Sequence, residues 1–158
     1  MGDQGWIHPA RWEGGEHMFY GTQQYTIDDK GRLTIPARYR QLLSDGLVIT
    51  RGFDRNLAIY PHAEWEQWVS KVGGLHQTEL EARRLRRAMF AYATHLEPDK
   101  QGRVIVPALL LDYAKIAKDV MVVGVHSYVE VWSLENWQSE SEELEREGIA
   151  GQWAQLHI

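Results

Sequence analysis

The chain has 158 residues, a formal net charge of −5, 44% hydrophobic and 25% charged residues, and no cysteine. That is one domain, or two small units that must share a core, and it excludes disulfides and thiolate chemistry. No apolar run approaches the roughly 20 residues a membrane-spanning helix needs, and the N-terminus lacks the basic start and apolar stretch of a secretory signal.

Met1 to His17 is glycine-rich, carries Trp6 and Trp12, and shows no consistent period. It reads as an extension outside the fold, expected to be disordered, with Met18 as the start of the domain. From Tyr20 to Ile27 apolar and polar residues alternate as in a strand. Asp28 to Gly31 supplies turn chemistry, and Arg32 to Ile35 is a second strand with Leu33 and Ile35 on one face. Pro36 opens a short helix, Ala37 to Leu43, where its missing N–H costs nothing. Leu47 to Thr50 and Leu57 to Tyr60 form a hairpin, and a helix follows near Ala63 to Val72, stopped by Gly73-Gly74.

A central helix comes next. Thr78 and Glu81 read as its capping box, and Leu80, Leu85, Ala88, Met89 and Tyr92 as its apolar face. Then the plan repeats: a strand through Thr94 to Leu96, a turn at Pro98 to Gly102, a strand at Val104 to Val106, a helix at Ala108 to Ala114, and a hairpin of Val120–Val125 with Tyr128–Trp132. A last helix starts near Ser133 and runs into an acidic tail. The domain reading is an extension over 1–17, a first repeat over 18–72, a linker helix over 73–91, a second repeat over 92–138 and the acidic helix or tail over 139–158.

The repetition is explicit. Asp28-Asp29-Lys30-Gly31-Arg32-Leu33-Thr34-Ile35-Pro36 returns 71 positions later as Asp99-Lys100-Gln101-Gly102-Arg103-Val104-Ile105-Val106-Pro107, nine positions without a gap. Two supersecondary units of this kind form one pseudo-symmetric body, not a long array. The predicted fold is α+β: two tandem ββαββ repeats intertwined into one pseudo-twofold barrel with flanking helices, in which strands of each half close the edges of the other.

Charge is unevenly spread. Leu134 to Ile158 holds six acids against one base, whereas Lys30 to Arg55 holds six bases against two acids. A basic surface beside an acidic tail is the pattern. Enzyme signatures are missing: there is no G-x-G-x-x-G, P-loop, G-x-S-x-G or H-E-x-x-H, and the seven histidines are scattered. The reading is therefore a non-enzyme without metal, cofactor or small-molecule substrate. Asp28-Asp29 is either a turn former or, against that, a hold for a cation.

What remains is Asp-x-x-Gly-Arg at a hairpin tip in both halves: Asp28, Gly31 and Arg32, then Asp99, Gly102 and Arg103. Glycine permits the positive φ of the turn. The aspartate can hold the arginine, whose guanidinium makes bidentate contacts to phosphate or guanine. Each pair is either an exposed salt bridge of small worth or one of two symmetric basic tips that match a repeated ligand such as duplex DNA. Arg83, Arg84, Arg86 and Arg87 on the central helix are open to the same choice, between phosphate contact and a solvated or subunit-facing surface. Trp65, Trp68, Trp132 and Trp137 suit core or interface packing better than base stacking.

These residues resemble the MraZ family of the SpoVT-AbrB swapped-hairpin superfamily. The likeness lies in Met18-Phe19-Tyr20-Gly21, in Asp28-x-Lys30-Gly31-Arg32-Leu33-x-Ile35-Pro36-x-Arg38-Tyr39, in Leu57-x-Ile59-Tyr60-Pro61-x-x-Glu64-Trp65, and in the second motif with Glu130-x-Trp132. The resemblance covers about Met18 to Trp137. It implies a cytoplasmic, nucleoid-associated transcriptional regulator, a repressor of the division and cell-wall gene cluster. Such a protein binds tandem promoter repeats in double-stranded DNA as a ring-shaped homo-oligomer. It implies DNA contact through Lys30 and Arg32 in the first half and Arg103 in the second; Arg38 and Lys100 are added as DNA-binding candidates, and Asp28, Gly31, Asp99 and Gly102 position the motif. Lys30 has no aligned base in the second half, where Gln101 takes its place and Lys100 sits one position earlier. An antitoxin-like DNA-binding partner of a toxin and a purely structural ring protein are the alternatives.

Overall fold

The computed structural model describes residues 18–157; the extension over 1–17 lies outside them. The described residues form strands β1 (Phe19–Thr26), β2 (Arg32–Thr34), β3 (Leu47–Arg51) and β4 (Leu57–Pro61) in the first repeat, with helices α1 (Ala37–Arg40) and α2 (His62–Gly73). Helix α3 (Leu80–Phe90) links to β5 (Thr94–Leu96), β6 (Arg103–Ile105), α4 (Ala108–Tyr113), β7 (Asp119–His126), β8 (Val129–Ser133) and α5 (Leu134–Leu156).

The two repeats are threaded through each other. One sheet runs β1-β7-β8-β4-β3-β5 and a second pairs β2 with β6. Exchanging each strand for its counterpart in the other repeat reverses the six-stranded order onto itself. The registers carry the same symmetry: Leu33 faces Val104, two copies of one motif position, at the middle of β2·β6, and Ala58 faces Glu130 at the middle of β4·β8. The expected pseudo-twofold barrel is therefore present. The swap covers β7 with β1 and β3 with β5, while β1 and β5 themselves end the sheet.

Strand alternation divides the interior in two. Leu47, Ile49, Leu57 and Ile59 point into the barrel with Leu33, Val104, Val122 and Val131. Their neighbours Val48, Ala58 and Tyr60 face the other way, onto Trp65 and Val72 of α2 and Met89 of α3. The Thr50 hydroxyl donates to the Met89 carbonyl at 2.6 Å, fixing α3 to β3. Helix α5 begins at Ser133, whose hydroxyl accepts from the Asn136 N–H, and Trp132 meets Trp137 edge-on at 5.7 Å. Gly148, at φ 75°, breaks α5 into two helical segments.

Three local expectations are corrected. The helix over Ala37–Leu43 is α-helical only to Arg40; the chain then tightens into three-residue turns, with Ser44 N–H donating to Gln41 O and Gly46 N–H to Leu43 O. The capping box does not form. A turn that joins Glu79 N–H to His76 O makes Glu79 the N-cap, so Thr78 falls outside the helix. The apolar face of α3 keeps Met89, buried, and Leu85, which packs on the same cluster, but Ala82 is buried where Leu80 is expected, and Leu80 is exposed.

Candidate nucleic-acid interface

The two Asp–Arg turns are built alike, bond for bond. In the first, the Gly31 N–H donates to Asp28 O at 2.9 Å, and one Asp28 carboxylate oxygen accepts from the N–H groups of Lys30 and Arg32, both at 2.9 Å. The other oxygen accepts from Arg32 Nε at 2.6 Å. In the second, Gly102 N–H donates to Asp99 O at 2.9 Å, Gln101 and Arg103 N–H donate to one Asp99 oxygen at 2.8 and 2.9 Å, and Arg103 Nε donates to the other at 3.1 Å. Gly31 and Gly102 both sit at φ 78°, a conformation that a side chain resists.

Each turn is also tied to the opposite repeat. Val106 N–H donates to Gly31 O and Ile35 N–H to Gly102 O, both at 2.8 Å. The swap therefore holds each arginine against the other half of the molecule. Both Asp28 oxygens are thus engaged in the turn, one by the Lys30 and Arg32 N–H groups and the other by Arg32 Nε, which makes Asp28 a turn former and arginine holder. The Arg32 backbone N–H is the main cause that holds the Asp28 carboxyl below its ordinary value, helped by the Arg32 side chain and the Lys30 N–H. Asp99 is lowered in the same way, first by the Arg103 backbone N–H.

The bond to aspartate occupies Nε, and both arginine side chains keep 30% exposure. Leu33 and Val104 point into the core, so Arg32, Thr34, Arg103 and Ile105 share the outer face of the two-stranded ribbon. Arg32 lies opposite Ile105 and Arg103 opposite Thr34. The arginines are thus diagonal neighbours, a relation that places residues about 7–8 Å apart with their Cβ atoms somewhat closer.

The structure brings Lys30 and Arg32 together in a surface depression that Lys118 and Leu111 also line. Lys100 borders the corresponding depression at the second tip, with Arg40. Neither Arg40 nor Lys118 is singled out by the sequence motif. Arg40 Nε donates to Ile35 O at 3.0 Å, and its guanidinium fills the place where a side chain on Gly102 would start. Among the described residues, each tip therefore carries three bases: Lys30, Arg32 and Lys118 at the first, Arg40, Lys100 and Arg103 at the second. The base missing at Gln101 is supplied across the swap.

Arg38 goes elsewhere. Its guanidinium lies 5.0 Å from the Tyr39 ring centroid and packs on Gly21 of β1, and it borders neither depression. The basic stretch from Lys30 to Arg55 is divided further. Arg51 is sandwiched between Tyr92 and Tyr113, at 3.6 and 4.5 Å, and Arg55 lies 5.1 Å from Tyr113. On α3, Arg83 Nη1 donates to Gln77 O, and Arg86 Nη2 to the carbonyls of Gly73 and Leu75. These two fasten the α2–α3 connection, whereas Arg84 and Arg87 are exposed. Trp65 and Trp132 are buried, and Trp68 packs on Tyr60 and Phe53.

A second charged region gathers around β8 and α5. Tyr128 and Trp132 both donate to Glu130. Burial first, and Glu130 next, push the Tyr128 hydroxyl up to about 12. Glu140 is raised by desolvation, then by the charges of Asp54, Glu130 and Glu143.

A single chain folded as a pseudo-symmetric swapped-hairpin barrel, with an arginine-tipped ribbon, is the class this architecture defines. The family follows from comparison. Residues 18–88 and 89–155 each match the family described as "MraZ protein, putative antitoxin-like". The chain is 48% identical over 122 residues to the transcriptional regulator MraZ of Herpetosiphon aurantiacus, covering 77% of this chain and 85% of that protein. It is 48% identical over 131 residues to the transcriptional regulator MraZ of Thermomicrobium roseum, with 83% and 92% covered. With the transcriptional regulator MraZ of Desulfitobacterium hafniense it shares 44% over 128 residues, 81% and 90% of the two chains. The chain belongs to the MraZ family.

Proposed function

We infer that this chain is a transcriptional regulator that binds double-stranded DNA sequence-specifically through the β2·β6 ribbon. The observation that carries the reading is the ribbon's outer face. Two arginines, each fixed through Nε by its own aspartate, stand at diagonal positions of a two-stranded ribbon. A B-DNA major groove about 12 Å wide admits such a ribbon, and arginine is the usual partner of guanine O6 and N7 there. Lys30, Lys100, Arg40 and Lys118 flank the ribbon as phosphate contacts. The names of the relatives, transcriptional regulators, support the same reading.

One ribbon makes few contacts, so useful affinity comes from several subunits on tandem sites at once. The proposed assembly is a ring-shaped homo-oligomer acting as a repressor at promoter repeats of the division and cell-wall gene cluster, in the cytoplasm on the nucleoid. The exposed Arg84 and Arg87 of α3 and the acidic region of Glu130, Glu140 and Glu143 supply complementary charge for a head-to-tail contact. The reading is tested by gel shift with DNA from upstream of its own gene. Shifted, salt-sensitive complexes that Arg32→Ala abolishes support it; a protein that leaves that DNA free at low salt contradicts it.

A further inference from the structure

The ends of the β2·β6 ribbon carry matching arginines with unlike neighbours. Thr34 in the first repeat corresponds to Ile105 in the second. With Leu33 opposite Val104, each of them lies beside the other repeat's arginine: Ile105 opposite Arg32, Thr34 opposite Arg103. Ile105 is 59% exposed. Its Cγ2 stands 4.0 Å from the point where a Cβ on Gly31 would lie, so it covers the first turn. At the second turn that flank is held by the Arg40 guanidinium. The first tip is also bordered by Leu111, the residue 71 positions beyond Arg40. The flank of the first turn is therefore covered by aliphatic groups, beside the bases of that tip, and the flank of the second by the Arg40 cation.

A lone exposed isoleucine is ordinary on a protein surface. This one occupies the face whose other members are two arginines and a threonine. There an aliphatic group offers nothing to phosphates or to hydrogen-bonding base edges. The major groove presents one apolar group, the 5-methyl of thymine. Resting on the DNA-binding reading above, we propose that Ile105 is a specificity-determining residue: it packs on the methyl of a thymine flanking the guanine held by Arg32. The second end presents Thr34 and Arg40 instead, a shorter side chain with a hydroxyl and a cation, so the two ends of one ribbon read different base steps.

The experiment uses duplexes that the full chain enriches from a random library. In the enriched sequence each thymine is replaced in turn by deoxyuridine, which removes only the methyl. The wild-type protein is expected to lose about fourfold in affinity at one thymine position per repeat, the worth of burying one methyl-sized group. Ile105→Ser and Ile105→Asn, which offer no methyl to the thymine, are expected to bind the thymine and uracil duplexes equally, and Ile105→Val to keep the discrimination. The proposal is overturned if the enriched sequence holds no thymine beside its guanine, if the wild type ignores every replacement, or if Ile105→Ser keeps the same penalty. Failure of the underlying reading looks different: no duplex is enriched, or Arg32→Ala binds it like wild type, and both readings then fall.

Discussion

Leu33 and Val104 face each other across the β2·β6 ribbon, and both are almost wholly buried. They are the same position of the duplicated motif, so the molecule pairs that position with its own copy. This pairing sets the register that places each Asp–Arg turn at an end of the ribbon. Leu33→Ala is expected to cost about 2–5 kcal/mol of stability and Val104→Ala less, because fewer atoms are removed. Chemical denaturation checks this, and the two changes should be non-additive, since the side chains are cross-strand neighbours. A loss below about 1 kcal/mol for Leu33→Ala, far under the usual cost of such a truncation, would show that the ribbon is not part of the common core.

The aspartates tie stability to pH. Asp28 and Asp99 have folded-state values lowered from 3.8, chiefly by the backbone N–H groups of Arg32 and Arg103. A lowered carboxylate stabilises the fold above its unfolded value, and that contribution disappears as pH falls through the lowered folded value. Wild type is therefore expected to lose stability on acidification below about pH 4. The double variant Asp28→Asn, Asp99→Asn should show a shallower dependence there, as read by thermal melts across pH. Identical slopes for the two proteins would remove the turns from the acid transition.

Much of this architecture is legible in the sequence because the motif is duplicated in full, with aspartate, glycine, arginine and proline at matching places. Alternation then assigns Leu33 and Val104 to the core and the arginines to the surface. What is not legible arises from the swap. Arg40 serves the second tip, although it lies eight residues beyond the first tip's Arg32, because α1 packs beside the other repeat's turn. Lys118 reaches the first tip through its carbonyl's bond to Ile27 N–H, a pairing 91 residues apart in sequence. The capping box at Thr78 fails for a local reason, the turn at His76–Glu79 that a three-residue pattern does not reveal.

Arg40 provides a direct test of that swap. Arg40→Ala is expected to weaken DNA binding by leaving a phosphate at the second tip unneutralised. The slope of log K against log salt should become shallower by about 0.9 for each such phosphate. Arg38→Ala, which leaves both tips untouched, is expected to change that slope little. Gel-shift titrations at several salt concentrations check both. Equal effects of the two variants would contradict the assignment.

The assembly has its own test. Light scattering should report a mass several-fold above the 18.3 kDa subunit. Arg84→Glu with Arg87→Glu should reduce that mass while the fold persists, and adding Glu140→Arg with Glu143→Arg should restore it. A monomer at micromolar concentration would refute the ring, and failure of the charge swap to restore the mass would place the subunit interface elsewhere.

The central claim is that the aspartate-held arginines of the ribbon grip DNA. The most direct measurement is the affinity of wild type, Arg32→Ala and Arg103→Ala for DNA from upstream of its own gene, taken across a salt series. Each variant is first checked for fold and mass. Wild type should bind with a steep salt slope. Arg32→Ala should lose specific binding, about 1–3 kcal/mol for each engaged subunit. Arg103→Ala should lose less, because the turn position matching Lys30 beside Arg32 is Gln101 beside Arg103. Wild-type affinity in a folded, assembled Arg32→Ala protein would contradict the account.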